Sequence, residues 1–516
     1  MAVDALRETF HINRVSPEKL EDFLTAQTYR PEITRAKEKI ESLTWGELQS
    51  FCRRPIRQGK SPTYVDGQGL TCIKPKHTSE MIVSFEETDN IDPRSKGKVA
   101  GQRLLHGDIV ITRSGAGTIG RASLFLSRDE VYTNDHLFIV RPDDVDAYYT
   151  CAFLNTYWGQ RLLEAGVSGS TGQLNLSNEH IKSLKLYSPS SAAQKFIGNK
   201  IRQAERLRAW AHVLEAAIFG EFSQLVVNPL PARLSWRTSA TILDPHRINP
   251  KQYDPVVLGL LERARKGGID LQPLSDLFSE RDIAGGATPK GAQYFEEGVL
   301  FARVQNVKPL RLDLSDAVYI DSDADDALAR SRCISNDIIL SITGYPGTAS
   351  LVTVEDLPVN INQHSVRFGV RSGVSAAYVC AALNSRFVKY QVDRLAIGGT
   401  RDALDYPSVR SLLIPRFDVA KERAIDESAR DFVGALKLSH RLTVGAVLLV
   451  EALIEGAITE EYLSLAQQRL EAGDDQLDRE VLARLRADGL DGAGPPLFSD
   501  LDDLYALVDQ AAQAVQ

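Results

Sequence analysis

Four segments of this chain recur later in the chain, in the same order and at an almost constant offset. The matching pairs are residues 107–112 with 336–341 and 149–155 with 378–384 (offset 229), Asn134-Asp135-His136 with Asn362-Gln363-His364 (228), and Arg14–Pro17 with Arg247–Pro250 (233). A period this long indicates a duplicated domain rather than a solenoid repeat. Two similar domains on one chain suit a ligand with two similar halves, of which duplex DNA is the commonest.

The composition predicts a globular chain of several domains. With 516 residues, 43% of them hydrophobic and 25% charged, it can form about three domains with proper cores. No apolar run reaches the ~18 residues of a membrane span, and the N-terminus has no signal-peptide core, so we expect a cytoplasmic protein without a membrane. The five cysteines form no C-x-x-C pair, which argues against a zinc site or a disulfide framework. Cys151 and Cys380, at equivalent repeat positions, are expected to be small buried residues.

The net charge of −8 argues against DNA binding until its distribution is considered. Residues 456–516 carry thirteen Asp or Glu, four Arg and no Lys, a net charge of −9, which leaves +1 for residues 1–455. A near-neutral body is compatible with a basic groove.

Each repeat is predicted to consist of a short lead-in, a β-rich block and a long helix. Within the blocks, short branched runs such as 108–112 indicate buried strands, and 147–165 and 376–395 read as helices. The predicted domains are an N-terminal lead-in (1–44), a first β-rich domain (45–189), a first long helix (190–222), a linker with the second lead-in (223–273), a second β-rich domain (274–417), a second long helix (418–455) and an acidic helical C-terminal tail (456–516).

Both long helices carry an apolar stripe at spacings of three and four residues. The stripe of the first is Ile197, Ile201, Ala204, Leu207, Ala211, Leu214 and Ile218, and that of the second is Ile425, Ala429, Phe432, Leu436, Ser439, Thr443, Ala446, Val450 and Leu453. Such a stripe is a seam for another helix. Either each helix packs on its own domain, or the two pack on each other as an antiparallel coiled coil, a rigid spacer between the domains.

Gly115-Ala116-Gly117-Thr118-Ile119-Gly120 matches the dinucleotide-binding pattern G-x-G-x-x-G. That motif requires a helix to begin there, whereas residues 121–126 read as another strand. The repeat copy has Pro346 within the pattern. We therefore predict a glycine-rich hairpin turn and no cofactor in this chain.

Catalytic motifs of nucleases, methyltransferases and motor ATPases are missing from the sequence. There is no Asp/Glu-x-Lys triplet, no Asn-Pro-Pro-aromatic loop and no G-x-x-x-x-G-K-[ST] loop. No clustered carboxylates or His-x-x-x-His pair suggest a metal. His136 and His364 recur beside an asparagine, which hints at catalysis, but residues that orient a turn or touch DNA would give the same pattern.

The chain resembles the specificity subunit of type I restriction–modification enzymes over residues 12 to about 455. The second block begins with what looks like the opening of a target recognition domain: Gly285–Pro289, Tyr294-Phe295 and Gly298–Arg303. The first block has a looser version of it, Gly59–Tyr64 with Leu70–Pro75. Residues 107–110 and 336–339 match the family's Gly-Asp-hydrophobic strand. Gln194 fits the start of its spacer helix, where the second helix departs with Lys421 or Glu422.

This resemblance implies an α/β (α+β) fold and a function in DNA recognition. Each target recognition domain would read one half of a split site in double-stranded DNA, and the spacer helices would set the unread gap and dock adenine methyltransferase subunits. S-adenosylmethionine would bind in those partners, and a restriction or translocase subunit could join the complex. The chain itself would not be an enzyme but the specificity subunit of an antiviral defence system.

Candidate DNA contacts are polar or aromatic residues beside turns, since phosphates need Lys, Arg or hydroxyl groups and bases need directional donors and acceptors. In the first block they are Lys60, Ser61, Tyr64, Lys74, Lys76, His77, Arg113, Ser114, Thr118, Arg121, Ser170, Thr171 and Gln173. In the second block they are Thr288, Lys290, Gln293, Tyr294, Arg303, Gln305, Asn306, Thr343, Tyr345, Thr400 and Arg401. Each could equally be a solvated loop residue.

Two other functions remain open from the sequence. One is a scaffold related to recognition subunits, whose acidic tail recruits an effector while DNA reading has become secondary. The other is an enzyme with an unrecognised nuclease site. Salt-dependent duplex binding separates the recognition subunit from the scaffold, and metal-dependent cleavage by the isolated chain would reveal the enzyme.

Overall fold

The computed structural model describes residues 14–20, 26–115, 117–169, 174–226, 235–243, 249–289, 291, 293–398 and 402–514. The chain divides into two compact units. The first unit comprises Met1–Arg208 and Lys437–Gln516, and the second comprises Ala209–Leu436. Both are α+β, and both are built from short strands and helices of mixed length.

The elements up to the end of the first long helix begin with a lead-in helix, and a β-rich block follows it. The helices are α1 (Pro31–Glu41), α2 (Lys96–Val99), α3 (Ala147–Leu154), α4 (Tyr157–Ala165), α5 (Asn178–Ser183) and α6 (Ser191–Ser223). The strands are β1 (Trp45–Glu47), β2 (Arg57–Gln58), β3 (Leu70–Ile73), β4 (Asp89–Ile91), β5 (Asp108–Thr112), β6 (Ala122–Phe125), β7 (Val131–Thr133), β8 (Leu137–Val140), β9 (Val167–Ser168), β10 (Asn175–Leu176) and β11 (Lys185–Tyr187).

Two sheets form the centre of the first unit. The larger is antiparallel, in the order β2-β8-β5-β6, and the smaller has the order β4-β3-β7 with β3 and β7 parallel. Strand β5 is buried at every position, as its continuous apolar run predicts. Val110, Phe125, Leu137 and Ile73 meet in a core between these strands.

The second part of the chain follows a similar order of elements. The helices are α7 (Pro255–Lys266), α8 (Ser322–Ala327), α9 (Ala376–Asn384), α10 (Arg386–Leu395), α11 (Tyr406–Arg410) and α12 (Val419–Glu455). The strands are β12 (Asp270–Pro273), β13 (Ala284–Gly285), β14 (Val299–Ala302), β15 (Val307–Lys308), β16 (Arg311–Leu312), β17 (Tyr319–Ile320), β18 (Ile338–Ser341), β19 (Ala349–Leu351), β20 (Val359–Ile361), β21 (Ser365–Phe368) and β22 (Leu413–Arg416).

The sheets of the second unit have the same strand order as those of the first. The larger is antiparallel, in the order β13-β21-β18-β19, and the smaller has the order β17-β14-β20 with β14 and β20 parallel. A two-stranded pair, β1-β11 in one unit and β12-β22 in the other, joins the start of each block to its end. The hairpin β15-β16 belongs to the second unit.

Side-chain contacts repeat along with the strand order. Asn155 donates from its amide to the Ala122 and Cys151 carbonyls, and Asn384 does the same to Ala349 and Cys380. Cys151 and Cys380 are fully buried, which confirms the prediction for both. Each asparagine therefore ties the end of a helix to the outer strand of the larger sheet.

The helical stretches predicted over 147–165 and 376–395 are confirmed, and each consists of two helices. The first breaks between α3 and α4, where the Thr156 hydroxyl accepts from the Gly159 amide. The second breaks between α9 and α10, where the Ser385 hydroxyl accepts from the Val388 amide. Both residues cap a new helix by satisfying an amide that has no partner in the first turn.

The long helices α6 and α12 bury most of their stripes. Leu214 and Leu436 are half-buried, and the other stripe residues are buried. In the first unit the Ser439 hydroxyl contacts both the Ala204 carbonyl and the Arg208 guanidinium. In the second unit the Lys421 ammonium lies 2.6 Å from the Glu221 carboxylate.

By length and composition alone, α12 is the one helix in the described part of the chain that could cross a bilayer. The share of its apolar window that is buried within the protein is 56%. A buried apolar face is what a helix needs to pack in a protein core.

The acidic C-terminal segment is folded rather than extended. Its elements are α13 (Glu460–Glu471), α14 (Gln476–Arg484), β23 (Leu485–Arg486), β24 (Gly489–Leu490) and α15 (Leu501–Ala514). It packs on α6 within the first unit, where Lys195 pairs with Glu471, Asn199 bonds Gln467, and Lys200 forms a fully buried ion pair with Asp478. Much of its negative charge is therefore used in internal contacts.

Candidate nucleic-acid interface

In the first unit, one end of the larger sheet is built around a histidine. The Asn134 side-chain oxygen accepts from the His136 amide at 3.1 Å, which closes the turn into β8. The exposed His136 ring then bonds the Ser114 hydroxyl through Nδ1 at 2.5 Å. Two loops, one leaving β5 and one entering β8, are thereby held together at the same end of the sheet.

The second unit has the same arrangement. The Asn362 side-chain oxygen accepts from the His364 amide at 3.1 Å, and His364 Nδ1 bonds the Thr343 hydroxyl at 2.5 Å. In both units, therefore, the histidine orients a turn.

A glycine brings a further loop against each of these turns. A Cβ on Gly59 would lie 2.0 Å from the Asn134 carbonyl oxygen, and one on Gly286 would lie 2.0 Å from that of Ile361. No side chain fits so close to a backbone oxygen. The loops carrying Lys60–Tyr64 and Ala287–Pro289 therefore begin directly beside the histidine turns.

Aromatic and basic groups stand next to the first turn. The Lys74 ammonium lies 3.9 Å from the Tyr64 ring centroid and 3.0 Å from Asp89. Burial, together with neighbouring negative charge, raises the pKa of Tyr64 to about 12, so its hydroxyl stays protonated at neutral pH. Lys76 bonds the Glu87 carbonyl at 2.6 Å. Both ammonium groups are therefore bonded within the unit, and Tyr64 adds a protonated hydroxyl beside them.

In the second unit a row of polar side chains lies across the equivalent end of the larger sheet. The Thr288 hydroxyl donates to Gln363 Oε1 at 2.5 Å, and Gln363 Nε2 bonds His364 Nε2 at 3.1 Å. Beyond Thr343 the chain turns at Tyr345, whose side chain is 85% exposed. The Ser341 hydroxyl donates to the Tyr345 carbonyl at 2.7 Å, and the Lys389 ammonium donates to the Pro346 carbonyl at 2.8 Å.

The candidate contacts differ in how accessible they are. The exposed ones are Lys60, Ser61, Tyr64, Lys76, Thr288, Gln293, Tyr294, Gln305 and Tyr345. Half-buried are Lys74, Arg113, Ser114, Thr118, Arg121, Arg303 and Thr343. Ser170, Thr171, Gln173, Lys290, Thr400 and Arg401 lie outside the described residues.

Two candidates are corrected because they are buried. His77 is 1% exposed, and its Nδ1 accepts from the Lys74 amide within a short turn. Asn306 is fully buried, and its amide donates to the Asp313 carbonyl and to Asp316. Arg303 and Gln305 also bind Asp316. The sequence around 303–306 therefore builds an internal loop, and we remove His77 and Asn306 from the candidate contacts.

Sequence reasoning overlooked Asp135 and Gln363, which stand between the asparagine and the histidine of each turn. Gln363 is exposed and Asp135 half-buried. The repeat itself could have indicated them, because they are the one differing position in two otherwise identical three-residue segments.

The GxGxxG-like segment forms the predicted turn between β5 and β6. Gly115, Gly117 and Gly120 all have positive φ, and the Gly120 amide donates to the Thr112 carbonyl. Among the residues that the structure describes, no three His, Cys, Asp or Glu side chains are close enough together to hold a metal ion.

Comparison with known proteins finds likeness in structure but not in sequence. No protein-family model matches the chain, and no curated protein matches its sequence. A type I restriction–modification specificity subunit from M. genitalium is similar with a TM-score of 0.39 and 10% identity, over 81% of this chain and 96% of that one. The specificity subunit of Thermoanaerobacter tengcongensis is similar with a TM-score of 0.25 and 13% identity, over 84% and 96%.

A third similar chain comes from a structure on complex assembly and conformational transition of the type I restriction–modification system. Its TM-score is 0.27 at 12% identity, over 91% of this chain and 97% of that one. The solved structures to which this chain is similar along most of its length thus include specificity subunits of type I restriction–modification systems.

Proposed function

We propose that this protein is a non-catalytic DNA sequence-specificity subunit of a type I restriction–modification or related antiphage complex. The observation that carries the proposal is the histidine turn at one end of the larger sheet. It occurs in both units with the same asparagine, histidine and hydroxyl contacts. Two copies of one polar edge suit a duplex with two half-sites, because each copy can present side chains to base edges.

The two β-rich domains (45–189 and 274–417) each read one half-site in this proposal. Their loops differ where contacts to bases are expected: Lys60 and Ser61 stand in one, Thr288 in the other. Different side chains on one framework read different bases, so the site is asymmetric. The similar strand orders of the two units support a tandem duplication.

The two long helices form the spacer between the readers. We infer that they pair antiparallel, since Ala204 contacts Ser439 in the first unit and Glu221 contacts Lys421 in the second. Along this pair, residue numbers rise in one helix and fall in the other. Stripe residues such as Ile197, Leu207 and Phe432 hold the pair together, and its outer surface docks methyltransferase subunits.

Catalysis belongs to partner proteins in the cytoplasm. Adenine methyltransferase subunits would bind S-adenosylmethionine, and a restriction or translocase subunit could complete the complex. This assignment follows from the motifs that the sequence lacks and from its resemblance to specificity subunits.

The alternative is a scaffold whose acidic tail recruits an effector. The contacts of the tail do not favour it, because Glu460, Glu471 and Asp478 are used to hold residues of the first unit. A tail engaged in this way has fewer carboxylates to offer a partner.

Duplex binding and methylation assays test the proposal. The purified chain should bind duplex DNA with an affinity that falls steeply with salt, because phosphate contacts release counterions. Alone it should neither methylate nor cleave DNA, and methylation should appear once the methyltransferase and S-adenosylmethionine are added. Salt-independent or absent duplex binding would favour the scaffold, and methyl transfer by the chain alone would refute the non-catalytic assignment.

A further inference from the structure

Gln363 stands at the centre of the polar row in the second unit. An uncharged glutamine amide has two acceptor sites on Oε1 and two N–H groups on Nε2. Thr288 uses one acceptor site, and His364 uses one N–H. Among the residues that the structure describes, no other group bonds this exposed side chain, which leaves it one acceptor site and one N–H.

The row also fixes the orientation of this amide. With Gln363 Nε2 donating, His364 Nε2 accepts, so the ring proton lies on Nδ1 and is donated to the Thr343 hydroxyl at 2.5 Å. The Asn362 side chain holds the backbone of the same turn at 3.1 Å. A side chain held at both ends loses little rotamer freedom on binding, which favours affinity and specificity.

We propose that Gln363 reads an adenine in the major groove of the second half-site. Adenine presents the N7 acceptor beside the N6 donor, and a glutamine amide pairs with both at once. Thr288 and His364 leave one acceptor and one donor on this amide, which are the two kinds of group that the contact needs. The proposal rests on the function proposed above and names one base that the second unit reads.

The first unit supports the assignment by contrast. Asp135 occupies the position of Gln363, between the same asparagine and the same hydroxyl-bonded histidine. An ionised carboxylate only accepts hydrogen bonds, so its base partner is the N4 amino group of cytosine. A position that differs in chemistry on a shared framework is where two readers of different half-sites should differ.

Selection from a duplex pool tests the inference. The full-length chain is mixed with duplexes randomised over both half-sites, and the bound fraction is sequenced. We expect one adenine in the second half-site, preferred roughly ten-fold or more. With Gln363→Glu that single column should change to cytosine, while the first half-site stays unchanged. Gln510→Glu, the same change on the exposed face of α15, should leave every column unchanged.

The outcomes separate this inference from the proposed function. If wild-type protein enriches a bipartite motif and Gln363→Glu enriches the same motif, Gln363 is only a loop contact and the inference is wrong. If wild-type protein enriches no motif, the proposed function fails and the inference with it. Should Gln363→Glu fold poorly, Asp135→Gln decides: a change from cytosine to adenine in the first half-site supports the inference, and an unchanged column overturns it.

Discussion

The Ser439 hydroxyl of the second long helix donates a 2.9 Å hydrogen bond to the backbone carbonyl of Ala204 in the first. Ser439 is fully buried, so this bond satisfies a hydroxyl that would otherwise lose its water partners at a cost. The Arg208 guanidinium donates to the Ser439 hydroxyl oxygen at 3.1 Å. A polar contact inside an apolar seam favours one register over its neighbours.

The spacer proposal predicts the effect of lengthening α6. Four residues inserted after Leu207 add about 6 Å along the axis, and they turn the following stripe by about 40°. Since DNA rises about 3.4 Å per base pair, the unread gap should grow by one or two pairs with both half-sites unchanged. Methylome sequencing of cells carrying the variant and its partner measures the gap.

A matched insertion controls for general disturbance. Four residues placed after Gly473, in the exposed turn between α13 and α14, should leave the gap unchanged. An active Leu207 variant with the original gap would reject the spacer role. Weaker folding or partner docking without a longer gap would indicate that each helix packs on its own domain.

The buried ion pair predicts that the acidic segment stabilises the first unit. The side chains of Lys200 and Asp478 are 1% and 0% exposed, and the Tyr505 hydroxyl donates to the same carboxylate. Lys200→Ala should lower the free energy of unfolding by roughly 3–5 kcal/mol, because it leaves a buried charge without its partner. Urea denaturation measures the loss.

Two further variants distinguish burial from charge. Lys195→Ala removes an exposed pair with Glu471 and should cost far less stability, because exposed ion pairs are screened by solvent. The double variant Lys200→Met with Asp478→Leu should recover much of the loss, since apolar residues can replace a buried pair. A Lys200→Ala effect no larger than that of Lys195→Ala would show that the pair contributes little.

Exchange of one β-rich domain should change one half-site. Replacing residues 274–416 with the block of a related protein exchanges the loop edge around His364 and leaves that around His136. The methylation motif should then change in one half only, because each edge carries its own contacts. A change of both halves would contradict the model of two independent readers.

Burial of Cys72 predicts a loss of stability at alkaline pH. Its thiol has a pKa raised from 9.0 to about 12, chiefly by burial. Above pH 9 the unfolded thiol loses its proton while the folded one keeps it, so stability is full below pH 9 and falls as pH rises towards 12. Each such group contributes about 1.4 kcal/mol per pH unit within its window.

Urea midpoints measured from pH 7 to 12 check this effect. Cys72→Ala should show a shallower decline than wild-type protein from pH 9 to 12. Cys52, whose pKa is raised to about 11, provides the control. The decline of Cys52→Ala should be shallower than that of wild-type protein only between pH 9 and about 11. Parallel declines for all three proteins would contradict the predicted role of the thiol.

Several features could be predicted from the sequence because they depend on local pattern. The continuous apolar run of β5 and the glycines at 115–120 predicted a buried strand and a turn, and both predictions are confirmed. The regular apolar stripes predicted the two long helices, which the structure describes as Ser191–Ser223 and Val419–Glu455. The apolar patterns that predict a strand or a helix extend over a few residues, so the order of residues is sufficient to predict these elements.

The candidate interface depended on contacts between distant residues and was only partly predictable. His77 and Asn306 have the composition of contact residues, yet His77 caps a turn and Asn306 ties an internal loop to Asp316. Gln363 was not among the predicted contacts, and its bond to Thr288 joins residues 75 apart in the sequence.

The sequence by itself predicted the duplication, and it determined the strand and helix periods and the concentration of acidic residues in residues 456–516. Only the tertiary structure decided which side chains are in contact. Asp478 pairs with Lys200, 278 residues earlier, and His364 bonds both Gln363 and Thr343. The physical reason is that burial and hydrogen bonding depend on the folded position of every partner. Local order predicts an element, but the partners of a polar side chain are chosen by the packing of the whole unit.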